Sequence, residues 1–248
     1  MNGQNGYHWE VTPRWVRVQF GGEFIANSHR ALLVWEGGGP NLHYYFPRDD
    51  VRQEFLADTG RTGKDRTSWH VQVAGQQADN AAWSYLEAPE GLRGIEGYIA
   101  FRWHKMDQWF EEDEAVFVHP RDPYHRVDTV PSTRHVRVEV DGVTVAESKR
   151  PYLLFETNLP TRYYLPPEDV NMTLLQPSVS HTACPYKGIA SYWSVHVGEM
   201  THKDIVWGYP NPIPEIPKIK GLLSFYNEKV DIFVDGVKQE RPITAWSK

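Results

Sequence analysis

The chain is a tandem repeat of two similar halves. When the sequence is laid over itself at a spacing of 120, residues 14–36 match residues 134–156 at ten of 23 positions. Average residue usage predicts about one or two such matches by chance. The identical pairs are Arg14/Arg134, Val16/Val136, Arg17/Arg137, Val18/Val138, Gly22/Gly142, Ala26/Ala146, Ser28/Ser148, Arg30/Arg150, Leu33/Leu153 and Glu36/Glu156. The sequence therefore predicts two copies of one fold, and a residue found in only one copy is not required by the fold alone.

The repeat divides the 248 residues into two domains of ordinary size. We expect a first β repeat over residues 1–119, a linker over residues 120–133 and a second β repeat over residues 134–248. The linker is polar and carries Pro120, Pro123 and Pro131. We expect the two repeats to pack as a pseudo-dimer, in a chain that is a monomer or a homodimer.

Short strands dominate the pattern of both copies. In the second copy, the alternation in residues 134–140, the Asp141-Gly142 turn and residues 143–147 predict a β-hairpin. Further strands are predicted within residues 152–156, 162–165, 188–197, 204–209, 221–225 and 230–234, and a short helix within residues 166–175. The first copy follows the same order, with a longer closing hairpin over residues 103–114. The fold class is therefore all-β, mainly β with short helices.

Composition excludes several classes of partner and site. The net charge of −6, from 26 basic and 32 acidic side chains, gives no reason to expect a nucleic acid or an anionic membrane. A single cysteine excludes an intramolecular disulfide framework and a zinc site built on cysteine pairs. Residues 1–13 contain no apolar stretch suited to a signal peptide, and no run of eighteen apolar residues follows, so we expect neither a signal peptide nor a membrane-spanning helix. We expect a cytoplasmic protein that uses no metal and no cofactor.

Aromatic residues are unusually frequent, at 13% of the chain. Such rings fill the core of a small sheet protein, or they line a pocket that holds a planar or apolar ligand. Three ring positions are kept in both copies, and the last two are spaced to share one face of a strand. These positions are Tyr45/Tyr164, Trp83/Trp207 and Tyr85/Tyr209.

Two charged positions are also kept in both copies, at Arg30/Arg150 and Glu36/Glu156. One interpretation is a framework ion pair within each copy. The other is an anion-binding guanidinium beside a carboxylate that acts as a base or as a hydrogen-bond acceptor.

Other candidates occur in one copy only. Cys184 precedes Lys187 by three residues in a segment bounded by Pro185 and Gly188, where an ammonium group would favour a nucleophilic thiolate. The alternative is a buried small thiol beside a solvated lysine. Arg162 stands where the first copy has His43, whose imidazole can titrate near neutrality.

Four residues around the linker carry groups that can bind metals. They are His119, Asp122, His125 and Asp128. Three-residue steps through a segment with prolines give these side chains no common face, so the sequence predicts no metal site here.

Several blocks of the second copy are distinctive in their order along the chain. They are residues 150–157, 159–166, 184–188, 207–210 and 225–231. These blocks resemble the domain of unknown function 427 family in its tandem bacterial form. The resemblance implies two small mainly β domains, each similar to an open barrel or a tent-like sheet. It also implies site residues, which in the second copy are Arg150, Glu156, Arg162, Tyr164, Cys184, Lys187, Tyr192, Trp207 and Tyr209. Their counterparts in the first copy are Arg30, Glu36, His43, Tyr45, Trp83 and Tyr85.

The leading functional hypothesis is a small-molecule enzyme that uses metal-free acid and base chemistry, as a hydrolase, lyase or isomerase. Its site is expected in an aromatic-lined cleft of the second repeat or between the repeats. The catalytic candidates are Glu156, Tyr164, Cys184 and Lys187, and the other residues implied by the resemblance would bind the substrate. The ligand would combine an anionic or carbonyl group with a planar or apolar part. The alternatives are a non-catalytic metabolite-binding or sensing module and a protein-interaction module that uses the hairpin of residues 103–114.

Overall fold

The computed structural model describes residues 6–37 and 41–247, and the chain divides into two compact units at Asp122 and Pro123. Strands dominate both units, as the sequence predicts. Every helical segment among the described residues is a 3-10 turn of three residues. In this part of the chain, no helix has the length and apolar content needed to cross a membrane.

The first unit consists of a seven-stranded and a four-stranded sheet. Its strands are β1 (Tyr7–Val11), β2 (Val16–Phe20), β3 (Glu23–Ser28), β4 (Leu32–Glu36), β5 (Leu42–Phe46), β6 (Leu56–Thr62), β7 (Arg66–Val73), β8 (Gln76–Tyr85), β9 (Ile99–Phe101), β10 (Gln108–Glu111) and β11 (Glu114–Val116). The large sheet has the order β1-β4-β5-β9-β8-β7-β6, and the small sheet has the order β11-β10-β2-β3. Both sheets are open along their described strands.

The second unit repeats this arrangement. Its strands are β12 (Val127–Pro131), β13 (Val136–Val140), β14 (Val143–Ser148), β15 (Tyr152–Glu156), β16 (Arg162–Leu165), β17 (Leu175–Cys184), β18 (Gly188–Val197), β19 (Met200–Gly208), β20 (Leu223–Phe225), β21 (Asp231–Val234) and β22 (Val237–Lys238). The large sheet has the order β12-β15-β16-β20-β19-β18-β17, and the small sheet has the order β14-β13-β21-β22. The predicted all-β tandem fold is therefore confirmed, in the form of open sheets.

Each large sheet buries apolar side chains on both of its faces. Successive residues of a strand point to opposite faces, so Leu153 belongs to the cluster between the two sheets, whereas Leu154 belongs to a second cluster on the outer face. We call this second cluster the outer ring cluster. Its buried members are Leu154, Tyr164, Ala190, Tyr192, Trp207, Tyr209, Ile216 and Ile219.

A proline-rich connection covers the outer ring cluster. This cover segment, residues 210–222, joins β19 to β20 and packs Ile213, Ile216 and Ile219 against the rings. A Cβ atom at Gly208 would lie 2.6 Å from the carbonyl oxygen of Leu222. Glycine at this position therefore lets the cover segment lie directly on β19.

Two sequence-based boundaries differ from the structure. The expected linker of residues 120–133 contains β12, which pairs with β15 at the edge of the second unit's large sheet. The expected helix within residues 166–175 is replaced by two 3-10 turns, Pro167–Asp169 and Met172–Leu174. Between these turns Val170 forms a β-bridge with Ala146, which holds the chain extended where a helix would have to continue.

The expected longer hairpin of the first copy is also wrong. By strand register, Phe101 and Trp109 correspond to Phe225 and Ile232. The second unit therefore has its own closing hairpin, β21–β22. Phe101 and Trp109 are eight residues apart, whereas Phe225 and Ile232 are seven residues apart. The connection in the first unit is therefore longer by a single residue.

Candidate functional site

A buried carboxylate with two nitrogen partners lies beside the outer ring cluster of the second unit. Glu156 is the last residue of β15, and its side chain is 5% exposed. Lys187 Nζ donates to Glu156 Oε2, and His125 Nε2 lies 3.0 Å from Oε1. Burial alone would raise the pKa of Glu156, but the hydrogen bond from His125 and the charge of Lys187 outweigh burial and hold this pKa below its usual range. Glu156 is therefore a carboxylate at neutral pH.

Two loops deliver the nitrogen partners to Glu156. His125 precedes β12, and its ring stacks on Tyr186 at a centroid distance of 4.1 Å. Lys187 lies in the turn between β17 and β18, where its backbone amide donates to the carbonyl oxygen of Cys184 at 3.2 Å. The carbonyl oxygen of Lys187 in turn accepts a hydrogen bond from the amide of Ile213 in the cover segment, at 3.1 Å. Gly188 ends this turn with a φ of +109°, a conformation that favours glycine. The turn therefore ties the lysine to the cover segment.

Two buried phenols interact electrostatically with this carboxylate. The Tyr164 hydroxyl accepts a hydrogen bond from Trp207 Nε1 at 3.1 Å, and Tyr209 lies close enough to Glu156, Cys184 and Tyr164 to interact with them electrostatically. Burial raises the pKa of both phenols above the ordinary value, so both keep their protons. Among residues 6–37 and 41–247, neither phenol donates its proton to an acceptor. Two hydrogen-bond donors are therefore held beside Glu156.

The equivalent phenols of the first unit are used differently. Tyr45 donates to Glu36 Oε1, and Tyr85 donates to Glu36 Oε2 at 2.9 Å. Arg66 Nη2 also donates to Oε2, at 2.8 Å. Trp83 Nε1 donates to the Tyr45 hydroxyl at 2.8 Å, as Trp207 does to Tyr164. The first carboxylate is thus saturated by its own tyrosines and one arginine.

Glu36 and Glu156 are equivalent, but the cation that pairs with each comes from a different position in its unit. Trp83 and Trp207 are equivalent, and their partners on the neighbouring strand are Ser68 and Tyr192. Counting back two residues from each partner, Arg66 corresponds to Ala190 rather than to Lys187. A buried carboxylate without a compensating cation is costly, and this cost explains why both units supply one. The ion pair at the shared glutamate is therefore partly a requirement of the framework.

Arg162 is bound by its own chain. Its side chain is 6% exposed and forms a two-pronged pair with Glu228, with both N···O distances at 2.7 Å. Thr244 Oγ1 also donates to Glu228, at 2.6 Å. The Arg162 guanidinium lies 5.5 Å from the ring centre of Trp207, and Arg102 lies at the same distance from Trp83 in the first unit. In this structure Arg162 therefore pairs with Glu228 inside the fold and has a structural role.

Arg30 and Arg150 lie outside the site, which corrects the predicted pairing with Glu36 and Glu156. Arg30 pairs with Asp50 at 2.5 Å, and Arg150 pairs with Asp169 at 3.1 Å. Both arginine side chains are more than half exposed. Each aspartate also accepts a hydrogen bond from the serine two residues before its arginine. The aspartates lie in the 3-10 turns that follow β5 and β16, so these turns bind the arginine side chains.

The remaining candidates lie around the two ring clusters. Burial lowers the pKa of His43, whose ring meets the Trp83 ring edge-on at 5.2 Å. The Tyr192 hydroxyl lies 2.7 Å from Thr182 Oγ1. Cys184 ends β17 and is partly buried, but the ammonium group of Lys187 pairs with Glu156. The structure therefore gathers Glu156, Tyr164, Cys184, Lys187, Tyr192, Trp207 and Tyr209 around one outer face.

The expected aromatic-lined cleft takes the form of a closed cluster. Tyr164, Trp207 and Tyr209 are 1%, 7% and 5% exposed, because they pack on one another beneath the cover segment. A ligand can reach these rings only if the cover segment or a ring moves.

Sequence reasoning missed three residues that complete the site. The sequence indicates His125 only as a group that can bind metals, and it gives no sign that Arg66 pairs with Glu36 or Glu228 with Arg162. The spacing between His125 and Glu156 gives no local signal, since sheet pairing between β12 and β15 brings them together. Among the described residues, no group of three or more His, Cys, Asp or Glu side chains is arranged to hold a metal ion.

Comparison with known proteins identifies both copies. The family described as "Domain of unknown function (DUF427)" matches residues 8–112 and 128–236. No curated protein matches the chain.

Proposed function

Because the chain belongs to the domain of unknown function 427 family, whose description names no reaction, we propose a function from the site itself. The second unit is a small-molecule enzyme that uses acid and base chemistry on a carbonyl compound, as a hydrolase, lyase or isomerase. We place it in the bacterial cytoplasm, on the family resemblance and the single cysteine.

One observation carries this proposal. Equivalent tyrosines donate to the shared glutamate in the first unit, whereas in the second unit Tyr164 and Tyr209 retain their protons beside a glutamate held by His125 and Lys187. Donors that a framework does not use are available to a ligand. Protonated phenols near one carboxylate can stabilise the negative charge that develops on a carbonyl oxygen during reaction.

His125 is the proton carrier in this scheme. Its Nε2 is fixed by Glu156 at 3.0 Å, and its side chain is 20% exposed, so its other ring nitrogen is available to a substrate. Imidazole is the side chain best suited to moving protons near neutral pH. Glu156, whose pKa is held low, orients the imidazole through this hydrogen bond. Lys187 holds Glu156 in place, and Cys184, an electrostatic neighbour of Tyr164 and Tyr209, is the candidate nucleophile.

A non-catalytic binding module would need the same donors and the same rings. It differs from the enzyme in having no turnover, so one experiment separates the two hypotheses. The hairpin proposed for protein interaction has little support, since Trp103 and Trp109 stack at 4.3 Å within the first unit's core.

The test uses hydrolysis of p-nitrophenyl acetate, a small ester with a planar ring. His125→Ala should lower kcat/KM by roughly a hundredfold or more, the range typical of a lost general base. The matched control is His202→Ala, because His202 also lies against a carboxylate, Asp141 at 2.7 Å, but at an exposed place in the same unit. Equal rates for wild type, His125→Ala and His202→Ala would refute the enzyme, and retained binding of the ester without hydrolysis would favour the binding module.

A further inference from the structure

Ser224 is a buried hydroxyl without a hydrogen-bond partner. It lies in β20, is 0% exposed, and its Oγ finds no donor or acceptor within the described part of the chain. Its strand neighbours on the two sides are Tyr164 and Trp207. Residues that face each other across antiparallel strands point to the same side of the sheet, so the Ser224 hydroxyl lies on the outer face between these two rings.

The framework does not require this hydroxyl. In the first unit the same position is Ala100, which faces Tyr45 and Trp83 by register. The hydrogen bond from Trp83 to Tyr45 forms there at 2.8 Å without any hydroxyl beneath it. A buried hydroxyl that lacks a partner destabilises the folded state. The serine is therefore a feature of the second copy alone, and it opposes stability.

We propose that Ser224 determines the specificity of the second unit by hydrogen bonding to an oxygen atom of the substrate. The substrate class is a small, neutral, planar molecule with a hydroxyl or carbonyl oxygen. It enters between Tyr164 and Trp207 when the hydrogen bond that joins them opens.

The surroundings of Ser224 define this class. Tyr164 and Trp207 flank the hydroxyl with flat apolar surfaces that favour a ring. Leu154, Ala190 and Ile219 complete the same cluster, and a charged ligand would lose its hydration there without compensation. This inference rests on the proposed function only in using the same outer face, and it does not require that His125 be catalytic.

The experiment compares phenol with toluene, which have nearly the same shape but differ in one hydroxyl group. NMR titration of the full chain should give a Kd for phenol about tenfold lower than for toluene, the difference expected from one net hydrogen bond. Ser224→Ala should bring the two Kd values together. No binding of phenol, or an unchanged ratio in Ser224→Ala, would overturn the proposal.

Thermal unfolding provides an independent readout and a matched control. Ser224→Ala should raise Tm, because it removes a buried hydroxyl without a partner, and Ala100→Ser should lower Tm by creating one in the first unit. Ala100→Ser should leave the phenol preference unchanged. A lower Tm in Ser224→Ala would show that the hydroxyl is structural and would overturn the proposal. Failure of ester hydrolysis in the wild type removes the proposed reaction and leaves the phenol preference to be judged separately.

Discussion

Tyr85, the last residue of β8, and Tyr209, which directly follows β19, occupy the same position in the two copies, but Tyr85 donates to Glu36 at 2.9 Å, whereas Tyr209 donates to no acceptor in the described part of the chain. The duplication thus supplies an internal comparison. One unit uses its phenols to stabilise a buried carboxylate, and the other keeps them as protonated donors near Glu156. This difference is the basis of the proposed function and of the predictions that follow.

Replacement of Glu156 should destabilise the second unit strongly. Glu156→Gln leaves the buried ammonium of Lys187 without its counter-charge, and removal of one partner of a buried pair costs about 3–5 kcal/mol. The free energy of unfolding, measured by urea denaturation, tests this prediction. The control is Glu147→Gln, whose partner His135 lies in an exposed pair, and this change should cost less than about 1 kcal/mol. An equal loss of unfolding free energy in Glu156→Gln and Glu147→Gln would contradict a buried ion pair between Glu156 and Lys187.

The Arg162–Glu228 pair should depend on the planar fork of arginine. Arg162→Lys keeps the charge but loses one of the two parallel hydrogen bonds, so the unfolding free energy should fall by about 1–3 kcal/mol. Arg150→Lys, at an exposed pair, should change it by less than about 0.5 kcal/mol. A harmless Arg162→Lys substitution would show that the two-pronged geometry is not required.

Acid should destabilise the second unit through its two buried glutamates. Folding lowers the pKa values of Glu156 and Glu228 from the usual 4.5, against the effect of burial, because their cationic partners and hydrogen bonds favour the charged form. A group whose pKa is lower in the folded state stabilises the protein above its unfolded pKa, and this stabilisation is lost as the pH falls through the folded pKa. In urea denaturation, the stabilisation that Glu156 and Glu228 contribute should therefore be complete from pH 7 to about pH 5 and be lost below pH 4.5.

A Glu228→Gln variant identifies the source of this acid sensitivity. It should be less stable than wild type at pH 7, and its stability should decline less steeply below pH 4.5. Parallel curves for the two proteins would assign the sensitivity to other carboxylates.

The cover segment should be displaced by a methyl group on β19. Gly208→Ala places a Cβ atom 2.6 Å from the carbonyl oxygen of Leu222, a backbone atom that cannot move alone. We expect a loss of stability of about 1–3 kcal/mol, typical of overpacking, together with faster amide exchange in residues 210–222. Unchanged exchange in that segment would mean that β19 and the cover segment are less closely packed than described.

Much of the fold follows from the sequence, and the reasons are local. The Asp141-Gly142 turn between alternating segments predicts the β13–β14 hairpin, and the spacing of Trp207 and Tyr209 places both rings on one face. The duplication extends these predictions to the first copy. Strands without such local signals were missed or misassigned, as with β12 in the expected linker and β17 before Cys184.

Residues that both copies keep predict part of the site: Glu156, Tyr164, Trp207 and Tyr209 follow from this comparison and lie together. Cys184, Lys187 and Tyr192, which the second copy alone supplies, lie around the same outer face. The partner of each charged group depends on strand register and loop position, which spacing along the chain does not reveal. Arg150 was therefore paired with the wrong acid, and His125, 31 residues from Glu156, was not recognised as its partner.

The most direct test of the central claim is a comparison of Tyr209→Phe with Tyr85→Phe, in which unfolding free energy and p-nitrophenyl acetate hydrolysis are measured on each variant. Tyr85→Phe should destabilise the protein by about 1–3 kcal/mol, because Glu36 loses a buried hydrogen bond, and it should leave hydrolysis unchanged. Tyr209→Phe should change stability by less than about 0.5 kcal/mol and lower kcat/KM by a hundredfold or more, as expected when a donor to the developing oxyanion is lost. The account would be contradicted if Tyr209→Phe destabilised the protein as much as Tyr85→Phe and left hydrolysis intact.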